Sequence, residues 1–423
     1  MGKKNLVGAC VFGQSGGPTS VINSSAAGVF TEALAQKNIT AVYGAANGIK
    51  GVLDEKFYDI KKEDLDVLRL LKNTPSSALG SCRYKLKPAS VDETDYKRIL
   101  EVFKKYNVRY FFYNGGNDSM DTCSKISAFL ASSGYHCNVI GVPKTIDNDL
   151  FGTDHCPGFG SAAKYVATTF MELYQDATVY DKGQVTIVEV MGRNAGWLTA
   201  SSALATYKGM GPDLIYVPEV PFDIDAFIRD VKSTVDKHKG KCIVAVSEGI
   251  KNADGQYIAD VLASGDKAKD SFGHAQLGGV AQLLGALVTE KVGGKVRSIE
   301  FSLMQRCAAH LASKVDVEEA FNAGKLAVKS AVAGETDKMV VFERGADSKG
   351  KYKCIMKLMP VSMAANTEKT IPKEWIINNG TMLSRKFIDY VTPLIQGESK
   401  APLVDGLPWF ATLKKVLVSK DAD

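Results

Sequence analysis

The sequence lacks the features that mark several protein classes. Its 423 residues include eight cysteines but no C-x-x-C pair, and the five histidines show no metal-ligand spacing with cysteines or carboxylates. This pattern predicts free thiols in a reducing compartment and argues against a zinc site. No apolar run approaches a membrane span, and the run at residues 5–12 is too short for a signal sequence. The net charge of +5 is small and spread out. We therefore expect a cytoplasmic globular protein with no nucleic-acid or membrane partner.

Short apolar runs alternate with helical patterns along most of the chain. The first series contains strand-like runs and helical periodicities at residues 6–12, 20–37, 39–43, 95–106, 108–113 and, after a glycine turn, about 120–131. The second series consists of the corresponding patterns at residues 158–180, 185–190, 214–217, 223–237 and 243–246. Alternation of this kind predicts an α/β fold with doubly wound, mainly parallel sheets.

The two series indicate two similar α/β domains that meet across a cleft. The first is expected to span residues 1–158 and to be completed by about 306–360. The second is expected at residues 159–305. Beyond residue 361 the pattern weakens, and we interpret residues 361–423 as a C-terminal extension packed on the core, with no function assigned.

The segment Pro143–Asp149 reads P-K-T-I-D-N-D and follows an apolar run at residues 137–142. That run is typical of a short buried strand, and ligands of open α/β sheets bind at the carboxyl ends of strands. The carboxylate of Asp147 lies three residues from Lys144. This pair suits a reaction in which the carboxylate is the base that deprotonates a hydroxyl and the lysine stabilises the charge of a phosphate. The alternative interpretation is an ordinary solvated loop.

Two glycine-rich turns lie between predicted strands and helices, at Gly13–Pro18 and Gly115–Ser119. Such turns let backbone N–H groups approach a phosphate at the N-terminus of a helix. Neither has the spacing of a dinucleotide-binding fingerprint, and neither carries the lysine of a Walker loop. Each alone is equally consistent with a simple tight turn.

These segments belong to an ordered series of motifs. The motifs are Gly16-Gly17, Leu79-Gly80-Ser81-Cys82-Arg83, Gly115-Gly116-x-x-Ser119, Pro143-x-Thr145-Ile146-Asp147-Asn148-Asp149, Met191-Gly192-Arg193 and Ser247-Glu248-Gly249. Together they resemble the phosphofructokinase family and, within it, the pyrophosphate-dependent branch. The resemblance covers residues from about 6 to 310.

The resemblance implies roles for the matching residues. Asp147 is expected to be the base that deprotonates the 1-hydroxyl of fructose 6-phosphate, and Arg193 to stabilise the transferring phosphoryl group. The residues expected to bind the sugar phosphate are Thr145, Asp149, Met191, Gly192, Glu248, Leu303, Arg306 and Arg297, the last serving a neighbouring subunit's site. The residues expected to contact the donor phosphates are Gly16, Gly17, Arg83 and Ser119. The resemblance thus implies that the first domain binds the donor phosphates and the second the sugar phosphate, with the active site in the cleft between them.

The same resemblance implies, at three positions, which phosphoryl donor the protein uses. ATP-using members of the family have glycine where this chain has Asp118, Lys144 and Thr122. A carboxylate at position 118 is expected to exclude the α-phosphate of a nucleotide, whereas Lys144 neutralises a small, dense donor. All three positions favour pyrophosphate, and we count Asp118 and Lys144 with the catalytic residues.

Three residues depart from the family pattern. Asn117 stands where most members have the aspartate that binds magnesium, so this residue is a doubtful metal ligand. Gln184 replaces an arginine that crosses between subunits in many members. Leu303 replaces a histidine or tyrosine that binds the sugar phosphate.

We therefore predict reversible phosphoryl transfer from pyrophosphate to the 1-hydroxyl of fructose 6-phosphate, in glycolysis and gluconeogenesis. Mg²⁺ is the expected cofactor, and a homodimer or homotetramer is the expected assembly. Two alternatives remain open at this point: an ATP-dependent phosphofructokinase, and a non-catalytic subunit that senses sugar phosphates.

Overall fold

The computed structural model describes residues 6–263, 279–364 and 367–420. The strands are β1 (Gly8–Gln14), β2 (Ile39–Ala45), β3 (Phe57–Asp59), β4 (Val108–Gly115), β5 (Asn138–Pro143), β6 (Gln184–Val190), β7 (Leu214–Tyr216), β8 (Cys242–Ser247), β9 (Lys295–Glu300), β10 (Lys338–Ala346), β11 (Tyr352–Pro360), β12 (Ile376–Ile377), β13 (Met382–Leu383), β14 (Leu403–Val404) and β15 (Leu407–Pro408).

Helices connect most of the strands in the parallel parts of the two sheets, as the alternating sequence pattern predicts. They are α1 (Ile22–Ala35), α2 (Ile49–Leu53), α3 (Leu65–Leu70), α4 (Thr94–Lys105), α5 (Asn117–Ser132), α6 (Phe159–Thr178), α7 (Trp197–Ala200), α8 (Ala203–Thr206), α9 (Ile224–Lys237), α10 (Ile258–Leu262), α11 (Val280–Lys291), α12 (Met304–Cys307), α13 (Lys314–Val332) and α14 (Arg385–Val391). Among the described residues, no helix is both long enough and apolar enough to cross a membrane.

The larger sheet has seven strands in the order β11-β10-β5-β4-β1-β2-β3. The pairings from β10 through β5, β4 and β1 to β2 are parallel, whereas β3 and β11 are added antiparallel at the two edges. Every residue of β1 is buried, which agrees with the continuous apolar run expected of a strand covered on both faces. The predicted mainly parallel α/β fold is confirmed, with antiparallel edges that the sequence pattern did not indicate.

The smaller sheet has four strands in the order β7-β8-β6-β9, and all of its pairings are parallel. Its central strand β6 is buried along its whole length. Helices α6 and α7 contribute to the core beside this sheet through Phe159, Phe170 and Trp197. The two sheets are thus built in the same way, each with a parallel centre and with helices packed against it.

The chain returns to the larger sheet after it has completed the smaller one. Strand β10 pairs with β5, and α13 packs against α1. Phe387 and Val391 of α14 then join the same core as α6 of the other half. The C-terminal segment therefore packs against the core, while the predicted domain bounds stay a prediction.

Helices α1 and α13 pack at very short range because glycines face the neighbouring helix. A Cβ added at Gly28 would lie 2.0 Å from the carbonyl oxygen of Phe321, and one at Gly324 would lie 2.2 Å from that of Ser25. No real Cβ contact is this short, so any side chain at either position forces the helices apart. The smallest residue is required here to bring α13 against the larger sheet.

We predict that Gly28→Ala destabilises the protein by about 1–3 kcal/mol, since the added methyl group overpacks the α1–α13 contact. Urea unfolding measures this change. Thr31→Ala, at an exposed position of the same helix, is the matched control and is expected to change stability by less than about 0.5 kcal/mol. Equal stability of the two variants would contradict the close approach of the helices.

Candidate active site

Three adjacent strands of the larger sheet end side by side and carry the motif-bearing loops. Strand β4 lies between β1 and β5, and all three are parallel. The chain leaves β1 toward β2 on one side and continues with β4 on the other side, so the order of strands reverses at this point. A crevice forms at such a reversal, outside the carboxyl ends of the strands. The glycine turns and the P-K-T-I-D-N-D segment meet in this crevice.

The crevice is part of a cleft of about 670 Å³. Most of the residues predicted for the site line it: Gly16, Gly17, Arg83, Asn117, Asp118, Ser119, Lys144, Thr145, Asp147, Asp149, Met191, Arg193, Glu248 and Arg306. Glu368, from the C-terminal segment, lines the same cleft. The structure therefore brings together the predicted residues from both sheets, separated by up to about 290 positions in the chain.

The glycine turn after β1 approaches two cationic side chains of the cleft. A Cβ at Gly16 would lie 3.2 Å from Nζ of Lys144, and one at Gly17 would lie 3.1 Å from a guanidinium nitrogen of Arg306. Gly16 also has φ of +74°, a left-handed conformation that favours glycine. The backbone of the turn therefore lies close enough to both cations that all three could contact one small anion.

Lys144 is only 6 % exposed although it carries a charge. Burial lowers the pKa of Lys144 to about 8, while the carboxylates of Asp147 and Asp149 oppose this shift. A lysine in this position is stabilised in its charged form when an anion binds beside it. This electrostatic environment is suited to a densely charged phosphate donor.

Helix α5 begins at Asn117, three residues earlier than the predicted start near Met120. Gly116 precedes it in an extended conformation, and the polar residues at 117 and 118 form the first helical turn. Asp118 thus lies close to the positive end of the helix dipole, where a carboxylate is favoured. It also forms an ion pair of 3.3 Å with Lys85.

The P-K-T-I-D-N-D segment is held by backbone and side-chain contacts around its aspartates. The amide of Asp147 donates to the hydroxyl of Thr145 at 3.1 Å. Asn148 has φ of +56° and is fully buried, with its side chain bonded to Tyr390 and to the amide of Cys156. This turn directs Asp147 and Asp149 into the cleft on either side of Asn148.

Burial raises the pKa of Asp147, although Lys144 and Arg193 oppose the shift. Burial also raises the pKa of Asp149, to about 7, and repulsion from Asp147 and Glu368 adds to the effect. A carboxylate whose proton affinity is increased in this way is a better proton acceptor for a hydroxyl.

The loop after β6 forms the opposite wall of the cleft. The amide of Gly192 donates to Glu248 at 3.2 Å, and the amide of Met191 donates to the side chain of Gln305 at 3.2 Å. The Nε atom of Arg193 is buried and has no hydrogen-bond partner. The loop is therefore anchored through its backbone, and the side chain of Arg193 lines the cleft.

Comparison with known proteins shows which family the chain resembles. Residues 10–299 match the family described as Phosphofructokinase. A protein of Xanthomonas campestris named pyrophosphate–fructose 6-phosphate 1-phosphotransferase is 46 % identical, and the match covers 98 % of each chain. A protein of Halomonas elongata with the same name is 42 % identical, over 97 % of each chain. The chain belongs to the phosphofructokinase family. The resemblance predicted from the motifs is thereby confirmed.

A solved structure in the phosphofructokinase family shares the whole fold. The pyrophosphate-dependent phosphofructokinase of Nitrosospira multiformis is similar with a TM-score of 0.87 and 39 % sequence identity, and the match covers 98 % of both chains. The likeness therefore includes the C-terminal segment, over which the motifs themselves do not extend.

Some residues implied by the phosphofructokinase resemblance do not line the cleft of the single chain. Arg297 lies on β9 and Leu303 follows that strand, and both are exposed. Gln184 is buried at the start of β6, where its side chain donates to Thr186 at 3.3 Å. Thr122 is buried in α5 and donates to the carbonyl of Asp118 at 3.0 Å. Their predicted roles stay predictions.

The residues around Asn117 fit a divalent cation. Its Nδ2 donates to a carboxylate oxygen of Asp149 at 3.2 Å, whereas its Oδ1 is buried without a partner. An orphaned amide oxygen beside a carboxylate is a suitable ligand pair for a hard cation such as Mg²⁺. A cation would also favour the ionised form of Asp149.

A different group of side chains at ligand distance lies outside the cleft. Among the described residues, only His155, Glu319 and Cys354 form a trio of candidate ligands within 4.8 Å of one another. The sequence spacing did not indicate this group. Burial opposes charge on His155, but its hydrogen bonds to Asp154 and Glu319 outweigh that effect and raise its pKa. An imidazolium between two carboxylates accounts for the arrangement as a structural contact.

Several residues that build the site were not found from the sequence. Glu368 and Gln305 carry no motif of their own: Glu368 lines the cleft and Gln305 supports the amide of Met191, and both do so only through the tertiary fold. Asn148 was part of the motif, yet its structural role becomes visible only in its positive φ and its buried hydrogen bonds. A residue with a left-handed preference between two aspartates is the one signal that could have indicated such a turn.

We predict that Asp149→Asn gains stability relative to the wild type as the pH rises from 5 to 8. The folded-state pKa of Asp149 lies near 7, above its ordinary value of 3.8, so folding favours the protonated carboxyl. Its stabilising contribution is present at low pH and is lost as the pH rises through 7. The limiting slope for one group is about 1.4 kcal/mol per pH unit.

Urea unfolding in metal-free buffer at several pH values checks this prediction. Asp66→Asn, at an exposed helix position outside the cleft, is the control and removes a carboxylate without removing a buried one. A stability difference between Asp149→Asn and the wild type that stays constant with pH would show that Asp149 is ionised in the folded protein throughout.

Proposed function

We propose that this protein transfers a phosphoryl group from pyrophosphate to the 1-hydroxyl of fructose 6-phosphate, giving fructose 1,6-bisphosphate and phosphate. The observation that carries the proposal is that buried Lys144 and the carboxylate of Asp118 line the same cleft as the glycine turn at Gly16 and Gly17. Lys144 supplies charge for a compact donor, and Asp118 stands at the first turn of α5. The names of the near full-length relatives support the same activity.

The chemistry follows from the positions of the side chains. Asp147 accepts the proton of the 1-hydroxyl, and the resulting oxygen attacks one phosphorus of pyrophosphate. The bond between that phosphorus and the bridging oxygen breaks, and its electron pair leaves with the departing phosphate. Arg193 and Lys144 balance the negative charge on the transferring and leaving groups. Because donor and product both carry ordinary phosphate groups, we propose that the reaction is readily reversible.

Mg²⁺ is the proposed cofactor, held by Asn117 and Asp149. When bound, it neutralises part of the charge of pyrophosphate. Asp149 also keeps Asn117 oriented through the hydrogen bond between their side chains. The chain thus provides both an amide oxygen and a carboxylate inside the cleft.

We propose a cytoplasmic homodimer or homotetramer that acts in glycolysis and gluconeogenesis. The exposed position of Arg297 on β9, outside the cleft of its own chain, supports a role in a neighbouring subunit's site. The eight cysteines are all free, and this supports a reducing compartment. Mixing Arg297→Ala with Asp147→Ala subunits tests the shared site, because only mixed oligomers can contain one intact site.

A product assay tests the proposed function directly. Fructose 6-phosphate is offered with pyrophosphate and, separately, with ATP, and the formation of fructose 1,6-bisphosphate is measured. We expect product with pyrophosphate and little with ATP. A preference for ATP would establish the first alternative, and no product with either donor would favour a sugar-phosphate sensor.

Replacing Asp147 tests the assignment of the base. Asp147→Asn is expected to lower turnover by about 100- to 10,000-fold, the usual contribution of a positioned general base. Binding of fructose 6-phosphate, measured by calorimetry, is expected to remain nearly intact. A folded variant that loses less than about fivefold in turnover would require a different base.

Replacing Asp118 tests the selection of the donor. At about 4 Å and an effective dielectric near 20, two like charges repel by about 4 kcal/mol. Asp118 is paired with Lys85 and its side chain is 38 % exposed, so screening reduces this value. We therefore expect Asp118→Gly to shift the ratio of kcat/KM for ATP over pyrophosphate by about tenfold to a hundredfold.

The variant Lys144→Gly distinguishes neutralisation of the pyrophosphate charge by Lys144 from exclusion of ATP by Asp118. It is expected to lower turnover with pyrophosphate without improving the use of ATP, because it removes a cation and leaves Asp118 in place. The double variant is expected to use ATP detectably and pyrophosphate poorly. An unchanged donor ratio in Asp118→Gly would refute the assignment of donor selection to this residue.

A further inference from the structure

The segment of residues 367–371, here called the strap, crosses from one half of the cleft to the other. The backbone amide of Lys369 donates to the carbonyl of Asp149 at 2.7 Å, and the indole of Trp197 donates to the carbonyl of Lys369 at 2.9 Å. A single residue of the strap is thus bonded both to the P-K-T-I-D-N-D segment and to the helix that follows the Met191–Arg193 loop.

Contacts on both sides of Lys369 reinforce this crossing. An isolated antiparallel bridge pairs Glu368 with Leu150, directly after Asp149. On the other side, Glu219 accepts hydrogen bonds from the amides of Gly196 at 2.9 Å and Ile371 at 3.1 Å. The ammonium of Lys369 donates to the carbonyl of Asp154 at 2.8 Å. The strap is therefore anchored to both walls of the cleft.

Glu368 is the residue of the strap that reaches the site. Its side chain lines the cleft and accepts a hydrogen bond of 2.8 Å from Asn194, the residue after Arg193. It does not bond Arg193 itself, whose buried Nε has no partner. The carboxylate therefore holds the loop through the neutral amide of Asn194.

We propose that Glu368 is a positioning residue for phosphoryl transfer, which fixes Arg193 relative to Asp147 by tethering Asn194 to the strap. The inference rests on the proposed function, because it assigns Arg193 to the transferring group. It gives the C-terminal segment a role in the reaction, since the catalytic groups come from loops of different sheets. A displacement of about 1 Å between such groups is sufficient to slow a reaction strongly.

Three single variants and one double variant distinguish the hydrogen bond between Glu368 and Asn194, here called the tether, from the negative charge of Glu368. Glu368→Ala and Asn194→Ala each remove the hydrogen bond, and we expect each to lower kcat by about tenfold, with a smaller change in KM for fructose 6-phosphate. Glu368→Gln keeps an oxygen that can accept from Asn194 and is expected to restore most of the activity. The Glu368→Ala/Asn194→Ala double variant is expected to lose no more than either single variant.

Glu374→Ala is the matched control, because Glu374 is an exposed carboxylate of the same C-terminal segment and does not line the cleft. It is expected to keep wild-type kinetics. Thermal unfolding of all variants shows whether a loss of kcat reflects loss of folded protein.

A second measurement does not depend on activity. Hydrogen exchange of the amides at residues 191–197 is expected to be faster in Glu368→Ala and Asn194→Ala than in the wild type or Glu374→Ala. Wild-type inactivity with pyrophosphate would contradict the proposed function, whereas the exchange data would still test the tether.

Several outcomes would overturn the inference. Additive losses in the double variant, or unchanged exchange at residues 191–197, would show that Glu368 does not act through Asn194. Equal losses in Glu368→Gln and Glu368→Ala, with Asn194→Ala unaffected, would show that the charge acts directly on the reacting groups. Wild-type kinetics in Glu368→Ala would remove Glu368 from the mechanism.

Discussion

The site depends on charges that are withdrawn from water and that lack full compensation in the free protein. Lys144 has a lowered pKa, while Asp147 and Asp149 have raised ones, and burial is the largest cause in all three. Each group is therefore less stable in its charged form than it would be in solvent. A bound phosphate group stabilises the charged form of Lys144, and a bound cation stabilises the charged forms of Asp147 and Asp149. Because these charges are unfavourable in the free site, binding of the phosphate and the cation together is favoured over binding of either alone.

The backbone around these charges is correspondingly rigid. Asn148 is fixed in a left-handed turn by buried hydrogen bonds, and the Met191–Arg193 loop is held by Glu248 and Gln305. Because side chains with unfavourable electrostatics would otherwise move toward solvent, such anchoring is needed to keep them in the cleft. Residues that fix the backbone therefore alternate with residues that face the ligands along the same short segments.

Much of the fold could be predicted because its signals are local. The apolar runs that became β1, β4, β5 and β6 are covered on both faces, and their composition alone marks them. The motif residues Lys144 and Asp147 were found because strand ends place ligand groups at one edge of a sheet. The start of α5 was placed too late, since Asn117 and Asp118 have weak intrinsic helix propensity and form a helical turn after Gly116. Glu368 and the antiparallel strand β11 depend on contacts between distant parts of the chain, which no local period records.

The chain order of the larger sheet has a consequence for biosynthesis. Strand β10 pairs with β5 only after almost two hundred intervening residues, which include all four strands of the smaller sheet. During translation, the smaller sheet can therefore be completed while the larger one still lacks β10, β11 and α13. The exposed edge of β5 and the uncovered face of α1 are then open to wrong partners on the ribosome. A nascent chain of this kind is expected to depend on chaperones until its last third has emerged.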